Sequence, residues 1–269
     1  MTALHRLLET AREAADAATA IHRRDVGATL SGATQKARAD YVSRTDIDAQ
    51  EAAIAVIRRR HPDHLVLAEE SEESVEAQLA RWDGRPLWIV DPLDGTANYL
   101  HGHPMYSASV AVAVDGEPAV GVVASGSTGE RWWAGRGMGA FKNGRRIRVS
   151  RECPLIEALV GTGFPFKRLE LLPGYLGQFE RMLRSASGIR RGGSAALDLA
   201  YLAQGSLDAF WEEILMPWDF AAGVVLIREA GGVVTGPGDA APKLTEGPLR
   251  AANSPALLSA VKEVLSMEG

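Results

Sequence analysis

The stretch Leu87-Trp88-Ile89-Val90-Asp91-Pro92-Leu93-Asp94-Gly95-Thr96-Ala97-Asn98-Tyr99 decides how this chain is read. Its apolar run, Leu87 to Val90, predicts a short buried strand. The run leads into two aspartates separated by Pro92 and Leu93, and then into Gly95-Thr96 at the start of a helix. Two readings fit. Asp, Pro and Gly together make a common turn after a strand. Alternatively, two hard carboxylates stand at the carboxyl end of a strand, beside a helix N-terminus whose N–H groups suit a phosphate. The window alone leaves both open.

Length and composition narrow the field. At 269 residues the chain can bury a substantial core as one large domain, with an α+β half over about 1–150 and an α/β half over about 151–269. No internal repeat, low-complexity tail or linker divides it. The net charge of -5 argues against a nucleic-acid partner. One cysteine, Cys153, excludes an intramolecular disulfide and fits a reducing compartment; it lies outside every motif and reads as a packing residue. No apolar run approaches the ~18 residues that span a bilayer, and no signal-peptide core is visible. The expectation is a cytoplasmic protein with no membrane partner.

Leu4, Leu7, Leu8, Ala11, Ala14, Ala15, Ala18 and Ile21 recur at helical spacing and predict an amphipathic helix over about 3–24. Residues 27–44, rich in Gly, Ser and Thr, read as a surface loop or loose hairpin. Thr45, with Asp48 three positions on, predicts a capped helix to about Arg60, and Arg58-Arg59-Arg60 reads as its solvated end. A strand over 64–68 ends in Glu69-Glu70-Ser71. Residues 106–114, 119–124 and 130–134 predict consecutive antiparallel strands, and Asn143-Gly144 predicts a hairpin. Gly135, Gly137 and Gly139 open no helix, so they do not read as a nucleotide loop. The second half alternates. A strand near 158–161 and a helix near 176–183 precede a helix capped by Ser194 and stopped by Gly205. A strand over 207–211 follows, then a helix opened by Trp218-Asp219 and stopped by Gly231-Gly232. Val233-Val234 is another strand, and Ser254-Pro255 starts the last helix. Antiparallel strands first and alternating units later predict stacked sheet and helix layers.

Glu69, Asp91, Asp94 and Asp219 share a context, since each follows a strand or opens a helix. Each also has an ordinary explanation as a solvated loop acid, a turn residue or a cap, and Asp46 could be a favourable charge in a first helical turn. If they converge, the ordinary explanations fail, because packed carboxylates repel strongly without cations. No histidine or cysteine accompanies them, so the oxygen donors point to Mg²⁺ or Mn²⁺ rather than zinc or copper. Spacing does not show convergence.

Glu69-Glu70-Ser71, then Asp91-Pro-Leu-Asp94-Gly95-Thr96-Ala-Asn98-Tyr99, then Trp218-Asp219-Phe-Ala-Ala-Gly with Glu229-Ala-Gly-Gly232, resemble the signature segments of the inositol monophosphatase family. Lys36 with Asp40-Tyr-Val-Ser-Arg-Thr-Asp46, Gly193-Ser-Ala-Ala196 and Asp208-Ala-Phe-Trp-Glu212 resemble further segments. They appear in the family's order and span nearly the whole chain. The resemblance implies a layered αβαβα sandwich of the inositol monophosphatase/fructose-bisphosphatase type. It implies that Glu69, Asp91, Asp94 and Asp219, with the Leu93 carbonyl, hold two Mg²⁺ ions, and that Asp46 serves a third, weaker metal. By the same likeness, Glu70 and Thr96 position or deprotonate the attacking water, and the N–H groups of Gly95 and Thr96 receive phosphate oxygens. Gly193, Ser194, Ala195 and Glu212 contact the alcohol portion of the substrate.

The implied reaction is Mg²⁺-dependent hydrolysis of a small phosphate monoester, foremost inositol 1-phosphate. A metal-activated water attacks in line, and no covalent nucleophile is needed. The resemblance also implies a homodimer and sensitivity to lithium. Ala68 stands where the family usually has glycine, Ser43 where threonine is usual, and Tyr99 where phenylalanine is usual; none removes a ligand. His101-Gly-His-Pro104 lacks a basic residue that some members carry, which leaves the substrate open among inositol 1-phosphate, histidinol phosphate, fructose 1,6-bisphosphate and NADP. Asn98 argues against 3′-phosphoadenosine nucleotides. Some relatives act as RNA- or protein-binding regulators, for which Arg145, Arg146, Arg148, Arg190 and Arg191 could supply a basic face.

Overall fold

The computed structural model describes residues 2–37 and 40–267. Residues 38 and 39, inside the loop expected over 27–44, lie outside the described residues. Helix α1 (Ala3–Arg24) opens with Thr2 accepting from the His5 N–H and buries Leu7, Ala11, Ala14, Ala15 and Ala18, the stripe its spacing predicts. The loop that follows carries a two-stranded hairpin, β1 (Thr34–Ala37) and β2 (Asp40–Val42). Helix α2 (Arg44–Arg60) corrects one expectation. Its capping box is Ser43 with Asp46, not Thr45 with Asp48. Asp46 is buried and accepts from the Ser43 N–H and Oγ at 2.8 and 2.6 Å, whereas Asp48 faces outward to Arg24 and Arg44.

Next come β3 (Leu65–Ala68), the short α3 (Val75–Ala80), β4 (Leu87–Asp94) and α4 (Thr96–Leu100). An antiparallel run follows: β5 (Ser107–Val114), β6 (Glu117–Ser125), β7 (Arg131–Gly135), β8 (Gly139–Lys142) and β9 (Arg145–Ile147). Together β3 to β9 form a seven-stranded sheet in sequential order, with β3 and β4 parallel. The second half supplies β10 (Leu159–Thr162), α5 (Leu172–Ser185), β11 (Gly188–Arg190), α6 (Ala195–Ala203), β12 (Ala209–Leu215), α7 (Pro217–Glu229), β13 (Val233–Thr235), β14 (Gly247–Ala252) and α8 (Pro255–Ser266). Its sheet runs β11-β10-β12-β14-β13.

The elements stack as αβαβα. Trp88 and Val90 of β4 pack with Ala11, Ala15, Ala53 and Ile57 of α1 and α2. On the opposite face, Leu87 and Ile89 join Leu199, Val225 and Leu226 of α6 and α7, which reach the five-stranded sheet at Phe210 and Leu249. Helices α5 and α8 close the far side through Met182, Val261 and Trp211. Because both faces of β4 are covered, its sequence is a continuous apolar run rather than an alternating one. Each such fully buried Leu or Ile contributes about 1.5–3 kcal/mol. Helix α7 lies directly on β6: a Cβ at Gly121 would sit 2.5 Å from the Ala222 carbonyl oxygen. Among the described residues, no helix is long and apolar enough to cross a membrane.

Three boundaries differ from expectation. Strand β4 continues past Val90 to Asp94, with Asp91 opposite Ser109 and Asp94 opposite Ser107, and a bulge between them. Helix α5 begins earlier, with proline in its first turn. Strand β12 runs on to Leu215, and both β11 and β14 are strands where none was read. Glu212-Glu213, Pro248 and Arg250 break the apolar pattern that marks a strand in sequence, and tertiary pairing overrides it.

Candidate active site

Strand register brings the acids together. Ala68 of β3 pairs in parallel with Val90 of β4, so the next residue on each strand, Glu69 and Asp91, emerge side by side. The Glu69 N–H donates to the Val90 carbonyl at 3.2 Å. On the other flank Asp91 lies opposite Ser109. Ser109 Oγ donates to the Trp218 carbonyl at 3.0 Å, which ties the start of α7, and with it Asp219, to the sheet. Carboxylate oxygens of Asp91, Asp94 and Asp219 all lie within 4.8 Å of one another, and the Glu69 carboxyl meets that of Asp91. A strand-ending turn has no reason to gather four acids. This convergence favours the metal-site reading of residues 87–99 over the turn.

Asp219 serves two ends at once. One of its oxygens accepts from the Met216 N–H at 2.7 Å and so closes the first turn of α7, while the carboxylate belongs to the cluster. Asp94 is held differently. Ser194 Oγ donates to its Oδ2, and the Ala196 N–H donates to the same oxygen at 2.8 Å. The first turn of α6 is therefore spent on Asp94, an acidic partner that a helix N-terminus favours.

The electrostatics follow from these partners. Glu69 is pushed up to about 8, first by burial and then by the Glu70 and Asp219 carboxylates. Burial, with Glu69, Asp94 and Asp219, drives Asp91 well above the usual carboxylate range. Asp94 rises only to about 6, because burial is opposed by its bonds to Ser194, Ala196 and Ala195. Packed carboxylates that obstruct one another's ionisation, with oxygen as the donor, fit a hard divalent cation such as Mg²⁺ or Mn²⁺.

Around the cluster, Glu69, Asp94, Gly193, Ser194, Ala195, Glu212 and Asp219 line one cleft of about 490 Å³. Asp91, the cluster member that is not on that lining, is buried. Thr96 Oγ1 lies 2.8 Å from Asp46 Oδ1 and 3.0 Å from the Leu93 carbonyl, so Asp46, Thr96 and Leu93 form one polar path at the edge of the cluster. Burial raises Asp46 although it accepts from the Ser43 N–H, the Ser43 hydroxyl and the Thr96 hydroxyl. Glu70, its side chain almost fully covered, pairs with Lys36. Gly95 adopts φ 91°, and a Cβ there would lie 2.7 Å from the Met105 carbonyl oxygen; only glycine allows β4 to turn into α4 at this distance. Asn98 then donates to the carbonyls of Met105 and Gly192 at 2.6 and 3.0 Å, locking that turn to the Gly192-Gly193 loop.

Glu212 lies across the cleft, its carboxylate resting on Gly163, where a Cβ would meet Oε1 at 2.0 Å. Burial and the charges of Asp219 and Asp198 drive it well above the usual range. Asp198, not singled out in sequence, lines the same cleft and is pushed up to about 8 by burial and by Asp94. Phe164, Phe166, Lys167 and Arg191 also line it and were not singled out for it; the only sequence signal was two aromatics in a Gly/Pro loop. Arg145 and Arg146 lie on the edge strand of one sheet and Arg190 on the edge strand of the other. A wider groove of about 1070 Å³ between α7, β13 and α8 contains none of the cluster.

With this geometry in place, the chain can be set beside known proteins. The sequence model described as "Inositol monophosphatase family" matches residues 3–266. The chain is 41% identical over 234 residues to the protein named inositol-1-monophosphatase of Mesorhizobium japonicum, covering 86% of each. It is 43% identical over 203 residues to the Nus factor SuhB of Pseudomonas aeruginosa, covering 75% of this chain and 74% of that one. Its fold superposes on the crystal structure of extragenic suppressor protein suhB from Bartonella henselae with a TM-score of 0.89 at 36% identity, over 98% of this chain and 100% of that one.

Proposed function

The chain belongs to the inositol monophosphatase family and is a phosphoric monoester hydrolase, and we propose that it hydrolyses inositol 1-phosphate with two, or at most three, bound Mg²⁺ ions. The observation that carries this reading is the oxygen-only cluster of Asp91, Asp94 and Asp219, of which Asp94 and Asp219 line a cleft that Glu212 also lines. Glu69, Asp91, Asp94, Asp219 and the Leu93 carbonyl hold the metals, and Asp46 reaches the third position. The cations supply a lowered pKa for the attacking water and neutralise charge on the departing alkoxide.

The protein's own groups do the rest. Gly95 and Thr96 present N–H groups to the phosphate oxygens. The Thr96 hydroxyl, fixed by Asp46 and the Leu93 carbonyl, aligns the water, and Glu70, fixed by Lys36, takes its proton. Asp94 is itself oriented by Ser194 and Ala196. Glu212 accepts hydroxyl hydrogen bonds from the alcohol, with Gly193, Ser194 and Ala195 beside it. Homodimerisation, inhibition by lithium, acceptance of Mn²⁺ and a cytoplasmic location belong to the same reading.

A phosphate-release panel in Mg²⁺ tests it, with inositol 1-phosphate, histidinol phosphate, fructose 1,6-bisphosphate and NADP. Inositol 1-phosphate should give the highest kcat/KM and Asp91→Asn should be inactive. A higher kcat/KM on another ester would reassign the substrate. The relatives named Nus factor SuhB favour a second reading, a regulatory role outside catalysis. A salt-sensitive mobility shift with RNA would support that role, and no shift at low salt would remove it.

A further inference from the structure

One wall of the cleft has no part in metal or phosphate chemistry. Phe164 and Phe166 are 36% and 40% exposed, although both sit on the lining of the cleft. Their rings meet edge to face at 5.6 Å. The Arg191 guanidinium lies over both, 5.5 Å from the Phe164 centroid and 5.1 Å from that of Phe166. The wall is anchored inward, since Phe164 packs on Tyr175 at 5.7 Å and Tyr175 stacks on Trp211, the neighbour of Glu212, at 6.2 Å. It borders the proposed alcohol position on two sides. Glu212 rests on Gly163, the residue before Phe164, and a Cβ at Gly193 would lie 2.6 Å from Arg191 Nη1.

We propose that Phe164, Phe166 and Arg191, facing Glu212, determine specificity for a ring polyol over a cationic or an acyclic alcohol. The proposal rests on the phosphatase reading of this cleft. Each hydroxyl of such a ring both donates and accepts, so one donates to Glu212 while a neighbour accepts from Arg191. The C–H face of the ring lies against the two phenyl groups. A cationic alcohol such as histidinol is repelled by Arg191, beside which Lys167 and Arg168 line the same cleft. Stacking on two aromatics holds the guanidinium at the rim of the cleft.

The test compares wild type, Phe166→Ala and Arg191→Met on inositol 1-phosphate, histidinol phosphate and glycerol 2-phosphate in Mg²⁺. Binding of inositol 1-phosphate is measured in parallel by calorimetry in Ca²⁺. Phe166→Ala should lower the preference for inositol 1-phosphate over glycerol 2-phosphate about tenfold, through KM rather than kcat. Arg191→Met should narrow the preference over histidinol phosphate by about the same factor. Melting temperatures within a few degrees of wild type show that both variants fold. Unchanged preferences and unchanged binding in both variants overturn the proposal. Wild type that binds inositol 1-phosphate but releases phosphate from no ester would instead overturn the phosphatase reading, and a loss of binding in Phe166→Ala would then still support the wall.

Discussion

Two groups of acids in this molecule look alike in sequence and differ in what surrounds them. Asp208 accepts from Ser150 Oγ at 2.6 Å and from the Leu159 N–H at 2.8 Å. Glu229 accepts from the N–H groups of Gly137 and Gly139 at 2.8 and 2.7 Å, clamping α7 to the β7–β8 turn. Each finds its partners within the protein, and each joins two elements. Asp91 and Glu69 instead face other carboxylates, although one Asp91 oxygen accepts from the Leu93 N–H at 3.0 Å, and burial together with those neighbours drives both upward. Asp208 and Glu229 hold the fold, and the cluster offers oxygen ligands that could hold a cation. Asp94 and Asp219 stand between the two kinds, one oxygen accepting from a helix start and the carboxylate still in the cluster.

The largest expected effect breaks the cluster. Asp91→Asn should lower phosphate release by on the order of a thousandfold or more, the loss of several kcal/mol of metal-dependent stabilisation. The same change should raise the melting temperature of the metal-free protein, because it removes a carboxyl whose ionisation burial and its neighbours oppose. A lower melting temperature in EDTA would place Asp91 with the structural acids.

His22 sharpens the comparison from behind the cluster. It is buried, its Nε2–H donates to the Pro92 carbonyl at 2.7 Å, and its Nδ1 has no partner among the described residues. Burial lowers it to about 4. With the folded value below the unfolded 6.5, the unfolded chain binds the proton more readily. The contribution of His22 is thus present above pH 6.5 and lost as pH falls through 4. The stability gap between wild type and His22→Gln should shrink by roughly 3 kcal/mol between pH 7 and pH 4. Paired urea melts at the two pH values read it, and a constant gap would refute it. Smaller effects belong to the structural acids. Asp208→Ala should cost about 2 kcal/mol of stability, and Glu229→Ala about 1 kcal/mol. Both should leave kcat/KM within about twofold of wild type, and a large loss of activity in either would blur the division drawn here.

That division also marks how far the sequence could be read. The strand before Asp91 and the stripe of α1 were legible because their patterns are local, and the segments around Glu69, Asp91, Asp94 and Asp219 pointed to the family through their order. The meeting of those acids was implied by the resemblance and not legible in their spacing. It depends on the register of β3 against β4, a bulge in β4, and the Ser109–Trp218 bond, all set by partners far along the chain. For the same reason Ser194 read as a plain helix cap and a substrate contact, and its grip on Asp94, 100 positions away, stayed hidden. Strand β14 and the Phe164–Arg191 wall carry no periodic signal at all.

Anomalous diffraction from a crystal soaked in Mn²⁺ tests the central claim most directly. A peak bounded by the carboxylates of Asp91, Asp94 and Asp219, lost in Asp91→Asn, is the predicted result. Mn²⁺ bound elsewhere, with no peak among those three side chains, would contradict it.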